Sequence, residues 1–121
     1  MPTRERVEQF IARVVSGAHA EAIEEFYHED ASMQENLTPP RAGRDALAAG
    51  ERAMLARHKH VLTHPPDAVF IDGDRVVIHW VFEFTRADDT VMKIDELAFQ
   101  TWAQDRIQTE RFYYDPQQMK S

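Results

Sequence analysis

Arg75–Arg86, RVVIHWVFEFTR, alternates in the way an extended chain does: Val76, Ile78, Trp80, Phe82 and Phe84 fall on one face, Val77, His79, Val81, Glu83 and Thr85 on the other. Successive side chains of a strand point to opposite sides, so one face of this stretch is wholly apolar and must be covered. The second face is half apolar, more than a solvated sheet face would be. This predicts a homodimer that packs through the outer sheet face.

Outward from this strand, turn residues at Pro65-Pro66, Asp72-Gly73-Asp74, Asp88-Asp89 and Gln104-Asp105 punctuate the chain from Val61 onward. Four strands are expected there, among them Val91 to Trp102 and Arg106 to Asp115. The connections are only a few residues long, so neighbours pair antiparallel as a meander. Upstream the period is helical. Val7, Phe10, Ile11, Val14 and Val15 share one helix face, with Thr3 as cap and Gly17 just beyond the end. Ala22, Ile23, Phe26 and Tyr27 repeat the spacing in a shorter helix ending near His28, and a short strand follows from Ala31 to Asn36. Thr38-Pro39-Pro40 is a loop, and a third helix opens after Gly43 and runs to about His58, with Leu47, Gly50, Met54 and Val61 along one line. The expectation is an α+β fold over residues 1–121: three N-terminal helices packed on a curved antiparallel sheet, with a polar-lined pocket between them.

Composition narrows the function. The 121 residues suffice for one hydrophobic core, and 43% hydrophobic with 29% charged residues is an ordinary globular balance. Fourteen basic against twenty-one acidic residues give a formal charge of -7, which disfavours a nucleic-acid partner. The opening Met1-Pro2-Thr3-Arg4-Glu5-Arg6 leads into charged helix, so neither a signal peptide nor a membrane anchor is expected, and cytoplasm is the expected location. With no cysteine, thiolate catalysis, disulfides and cysteine zinc sites are excluded. There is no glycine-rich phosphate loop, serine nucleophile motif or dinucleotide fingerprint, so no cofactor is expected.

Three carboxylates fall among apolar strand residues. Asp95 shares a side with Val91, Leu97 and Phe99, while Glu96 and Gln100 point the opposite way. Glu110 shares its face with Phe112 and Tyr114, and Glu35 goes with Ala31 and Met33. A carboxyl that loses hydration becomes a proton donor near neutrality, unless a neighbouring donor satisfies it and it is merely structural. Trp80, Phe82, Phe99, Phe112 and Tyr114, with Met33, Met54 and Ile78, would wall a hydrophobic pocket or simply fill a core. His58, His60 and His64 cluster without a diagnostic metal spacing, so no metal is expected; His60 could reach the pocket mouth, and His79 belongs to the outer face.

The order of elements, together with Ile23–Glu35 (IEEFYHEDASMQE), Arg41–Ala46 (RAGRDA), Lys93–Phe99 (KIDELAF) and Arg106–Asp115 (RIQTERFYYD), resembles the superfamily that holds ketosteroid isomerase, SnoaL-like polyketide cyclases and nuclear transport factor two. The resemblance implies a cone-shaped α+β barrel. In ketosteroid isomerase a carboxylate base moves the proton while a tyrosine and a protonated aspartic acid hold the oxyanion. By motif, Glu35 falls at the base position, Asp95 at the oxyanion-holding acid, and Tyr27 where relatives carry a supporting tyrosine. Val14 or a close neighbour meets the position of the helix-one tyrosine, and the apolar Val77 to Phe82 lacks the arginine of limonene epoxide hydrolase. The resemblance thus implies a cofactor-free acid-base isomerase or cyclase for a small hydrophobic carbonyl compound, with Glu110 as auxiliary acid. The alternatives are a non-catalytic ligand-binding or dimerisation module, and a dehydratase using His60 with Asp95.

Overall fold

The computed structural model describes residues 1–120. Helix α1, Arg4–Val15, starts where Thr3 Oγ1 accepts from the backbone N–H of Arg6 at 3.0 Å, and buries Val7, Phe10 and Val14. Helix α2, His19–Phe26, buries Ala22, Ile23 and Phe26 and passes directly into strand β1, Tyr27–Glu35, which therefore starts earlier than the apolar spacing indicated. A two-residue strand β2, Arg41–Ala42, precedes helix α3, Arg44–Ala56. Gly43 joins them at φ 102°, a backbone setting that favours glycine. No helix among the described residues is long and apolar enough to cross a membrane.

Five strands follow, not four: β3 (His60–Thr63), β4 (Val69–Asp72), β5 (Arg75–Thr85), β6 (Val91–Ala103) and β7 (Arg106–Tyr113), and a 3₁₀ turn at Pro116–Lys120 ends the described chain. The sheet runs β2-β1-β7-β6-β5-β3, with β4 also on β5. The meander holds for β4, β5, β6 and β7. It fails only between β3 and β4, since β3 passes over its neighbour to pair antiparallel with β5 along Phe82–Thr85, beyond the stretch Arg75–Ile78 that β4 occupies. Pro65 and Pro66 lie between them and lack the N–H groups a mutual ladder would need. The sheet is mixed, because β1 lies parallel to β7. That long-range pairing has no local signature.

Register decides which residues face the helices. Trp80 is opposite Glu96, Phe82 opposite Ile94 and Ile78 opposite Ala98; Ala98 is in turn opposite Phe112, and Gln100 opposite Glu110. Residues directly opposite share a face. The inner face of β6 is therefore Ile94, Glu96, Ala98, Gln100 and Trp102. Its other parity, Asp95, Leu97 and Phe99, faces outward. The helices pack at the Trp102 end of the inner face: the Phe10 and Trp102 rings meet edge-on at 6.1 Å, over fully buried Val76, Ile78 and Ile107. Each such large apolar side chain contributes about 1.5–3 kcal/mol by leaving water.

Candidate active site

Toward the other end the helices and the sheet diverge and enclose a cavity of about 460 Å³. Its walls are Phe10, Val14 and Ile23 from the first two helices, Gly50, Glu51 and Met54 from α3, and Trp80, Phe82, Phe84, Ile94, Glu96, Glu110 and Phe112 from the sheet. Tyr27, Met33, Glu35, Arg41, Tyr114 and Met119 are also on the lining. Helix α3 packs against α2 and β1, and Gly50 on it lines the cavity with open space where a side chain would stand.

A buried hydrogen-bond chain reaches the cavity wall at Tyr27 and Glu110. Trp102 Nε1 donates to Gln100 Oε1 at 2.9 Å, Gln100 Nε2 donates to Glu110 Oε2 at 2.6 Å, and the Tyr27 hydroxyl donates to Glu110 Oε1. Both carboxyl oxygens of Glu110 thus have donors, as a buried acid requires. Burial pushes the Glu110 carboxyl up to about 7, against the pull of the Gln100 and Tyr27 hydrogen bonds. Tyr27 is held well above the ordinary tyrosine range, first by burial and then by the charge of Glu110, so its hydroxyl stays a donor.

Glu96 stands differently. It lies opposite Trp80 on the inner face, and among the described residues no donor reaches its carboxyl. Its exposure is intermediate because the carboxyl opens on the cavity, but protein surrounds that space. Desolvation, followed by the charges of Glu110, Glu35 and Glu51, raises it to about 8. A carboxylic acid with that affinity for its proton is neutral at pH 7 and can donate a hydrogen bond or a proton to a ligand.

At the rim, the Glu35 carboxylate lies 3.5 Å from the Arg41 guanidinium and 3.5 Å from the Tyr114 hydroxyl. On the helical side, His19 is buried with both ring nitrogens engaged, Nδ1 with Glu51 at 3.2 Å and Nε2 with the Thr63 hydroxyl at 2.7 Å. Its ring has no nitrogen left for a ligand, so its effect is to orient Glu51. Among the described residues no group of three or more histidine and carboxylate side chains is arranged to hold a metal ion.

The structure brings Tyr27, Glu35, Glu110, Met33, Met54, Trp80, Phe82, Phe112 and Tyr114 to the cavity and removes others from it. Asp95 is corrected to the outer face, where it is 59% exposed and pairs with His79 Nε2 at 2.6 Å. Asp67 holds the other nitrogen of His79 at 2.7 Å, and the two carboxylates, Asp95 first, raise the affinity of the imidazole for its proton. Phe99, of the same parity as Asp95, also faces outward. Ile78 is fully buried under the helices and does not line the cavity, and His60 is exposed on β3 away from it. With Asp95 and His60 outside, no dehydratase pair forms. Glu96, Gln100, His19, Glu51 and Arg41 were not among the expected site residues. No local signal singled out Glu96 and Gln100, since both parities of β6 carry apolar residues, Ile94, Ala98 and Trp102 on one and Val91, Leu97 and Phe99 on the other.

Three helices on this curved mixed sheet make the nuclear transport factor two-like, ketosteroid isomerase-like fold. A Catenulispora acidiphila protein described as having the ketosteroid isomerase-like fold, crystallised with trimethylamine, superposes with a TM-score of 0.78 at 17% identity, over 94% of this chain and 88% of that one. A Mesorhizobium loti protein provisionally named a SnoaL-like polyketide cyclase superposes at 0.77 with 23% identity, over 94% of this chain and 100% of that one. TerC crystallised with polyporic acid gives 0.79 at 16% identity, over 96% and 93%. Within this fold the chain belongs to the SnoaL-like family, whose domain model matches residues 7–110. No curated protein matches it.

Proposed function

We propose that the cavity binds a small hydrophobic carbonyl compound and that the chain catalyses a cofactor-free proton transfer on it, an isomerisation or an aldol-type cyclisation. The observation that carries this reading is the Glu96 carboxyl, neutral near pH 7, opening on an aromatic cavity with no protein donor. Glu96 hydrogen-bonds the carbonyl oxygen. The Glu35 carboxylate takes a proton from the adjacent carbon, the electron pair moves onto the oxygen as an enolate, and the proton returns at another carbon. Glu110 and Tyr27 stiffen the sheet wall from which Glu96 also projects. Polyporic acid in TerC and trimethylamine in the Catenulispora protein support occupancy of such a fold by small organic molecules.

The test is exchange of the α-protons of a small cyclic ketone for deuterium in heavy water, followed by NMR, with binding read from tryptophan fluorescence. Removing either acid-base group should slow exchange roughly 10²- to 10⁴-fold, so Glu35→Gln and Glu96→Gln should both fall in that range. Unchanged exchange in both variants would end the assignment. The second reading, a ligand-binding module without catalysis, is favoured by Val14, which gives the cavity wall an isopropyl group where the resemblance to ketosteroid isomerase calls for a tyrosine hydroxyl. Ketone binding by the unaltered chain without any accelerated exchange would select it.

The outer sheet face supports a homodimer, because Phe70, Leu97, Phe99 and Tyr113 are all more than a third exposed on it. Light scattering should give twice the chain mass, reduced to one in Leu97→Glu. A monomeric unaltered protein would remove the dimer from this reading.

A further inference from the structure

We propose that the ligand carries, besides its carbonyl, a compact positively charged nitrogen, seated between the Trp80 and Phe82 rings and the Glu51 and Glu110 side chains. The inference rests on the reading of this cavity as the ligand site and names the ligand's class.

Four carboxyl groups reach the cavity from four elements: Glu35 from β1, Glu51 from α3, Glu96 from β6 and Glu110 from β7. They act on one another across it, since Glu35, Glu51 and Glu110 all raise the proton affinity of Glu96, and Glu51 raises that of Glu110. Of the described basic groups on the lining, only Arg41 and His19 pair with these carboxyls, Arg41 with Glu35 and His19 with Glu51. Arg57 is exposed beyond the end of α3. His58 is tied by Nδ1 to the Met54 carbonyl at 2.9 Å, and His19 is fully engaged. No lysine lines the space.

The shape of the site selects the kind of cation. No three of these groups converge as metal ligands, so a small hard ion lacks its oxygen cage. The Trp80 and Phe82 rings stack on each other at 5.6 Å with 26° between their planes, and together with Phe84 they line the cavity. Aromatic rings beside carboxylates suit a bulky, weakly hydrated ammonium group better than a small, strongly hydrated ion. Glu51 and Glu110 balance its charge, and Glu96 keeps its proton for the carbonyl.

The probes are choline and its neutral carbon isostere, dimethylbutanol, titrated into the intact chain and followed by tryptophan fluorescence, which Trp80 in the cavity wall reports. Choline should bind roughly tenfold tighter than the isostere, as expected for a cation on aromatic faces. Glu51→Gln should erase the preference and Glu51→Asp should keep most of it, with circular dichroism showing that both fold. Binding of choline should tighten as pH rises from about 6 to about 8, because Glu110 must give up its proton in a site it shares with Tyr27, Glu51, Glu96, His19, His58, Arg41 and Arg57. Equal binding of the two probes, or a preference that survives in Glu51→Gln, would overturn the cationic class and leave the carbonyl reading standing. Failure of choline where the cyclic ketone binds would do the same. Failure of the ketone as well would overturn the functional reading itself.

Discussion

Replacing Glu96 by glutamine should stabilise the protein increasingly as pH rises above the ordinary glutamate range, up to about pH 8. The carboxyl sits at about 8 rather than the ordinary 4.5 because the cavity strips its hydration and three other carboxyl groups oppose its charge. At about 1.4 kcal/mol for each pH unit, ionising it in the folded chain costs at most roughly 5 kcal/mol more than in the unfolded chain. The sign follows from proton counting. Between about pH 4.5 and about pH 8 the folded chain keeps a proton that the unfolded chain has lost, so stability falls as pH rises through that window and levels off above it. Glutamine has nearly the same shape and never ionises. Urea unfolding at several pH values should give equal midpoints for the two proteins near pH 4, diverging up to about pH 8 and keeping a constant gap from there to pH 9, where Glu96→Gln is more stable by about 2–5 kcal/mol. Parallel profiles, or a variant weaker at pH 9, would show that Glu96 is hydrated or has a donor, and would strip it of its role as a neutral acid.

Two further outcomes separate the inner and outer faces. Tyr27→Phe removes one donor from Glu110, so the Glu110 carboxyl should titrate above its present value of about 7 by carbon-detected NMR. The lost hydrogen bond should cost about 1.5–3 kcal/mol above that titration, where Glu110 is charged, and less below it; a uniform loss across pH would point to packing alone. Asp95→Asn removes the strongest influence on His79, whose titration should move down toward the ordinary histidine value of 6.5. A raised histidine stabilises the fold below 6.5 and loses that contribution as pH rises through its own folded value, so the variant should lose it over a narrower window. Ketone exchange should be unchanged in Asp95→Asn, and a fall in its rate would reopen the outer face as a site.

Glu35, Glu110 and Tyr27 were legible because each sits in a short segment whose apolar neighbours fix its side, and the motif order that carried the family resemblance includes all three. Asp95 and Glu96 lie beyond what such local patterns decide. Alternation says that adjacent residues face opposite ways, but not which way is inward. KIDELAF offers an apolar set on either parity, Ile94 with Ala98 or Leu97 with Phe99. The resemblance favoured Asp95, and pairing with β5 decided for Glu96, because Trp80 and Phe82 can be covered only if Glu96 and Ile94 lie on their side.

By itself the sequence determined what local physics encodes: three amphipathic helices, the caps and breaks that bound them, a strand-rich second half and an acidic surface. These depend on spacing, backbone preference and composition, which each segment carries alone. Only the tertiary structure decided the parallel pairing of β1 with β7, the docking of β3 and β4 on one strand, and the meeting of Glu35, Glu51, Glu96 and Glu110 around one space. Those are contacts between residues far apart in the chain. Such contacts are chosen by the competition of whole faces for burial, and the proton affinities of Glu96 and Glu110 exist only once that competition has removed their water.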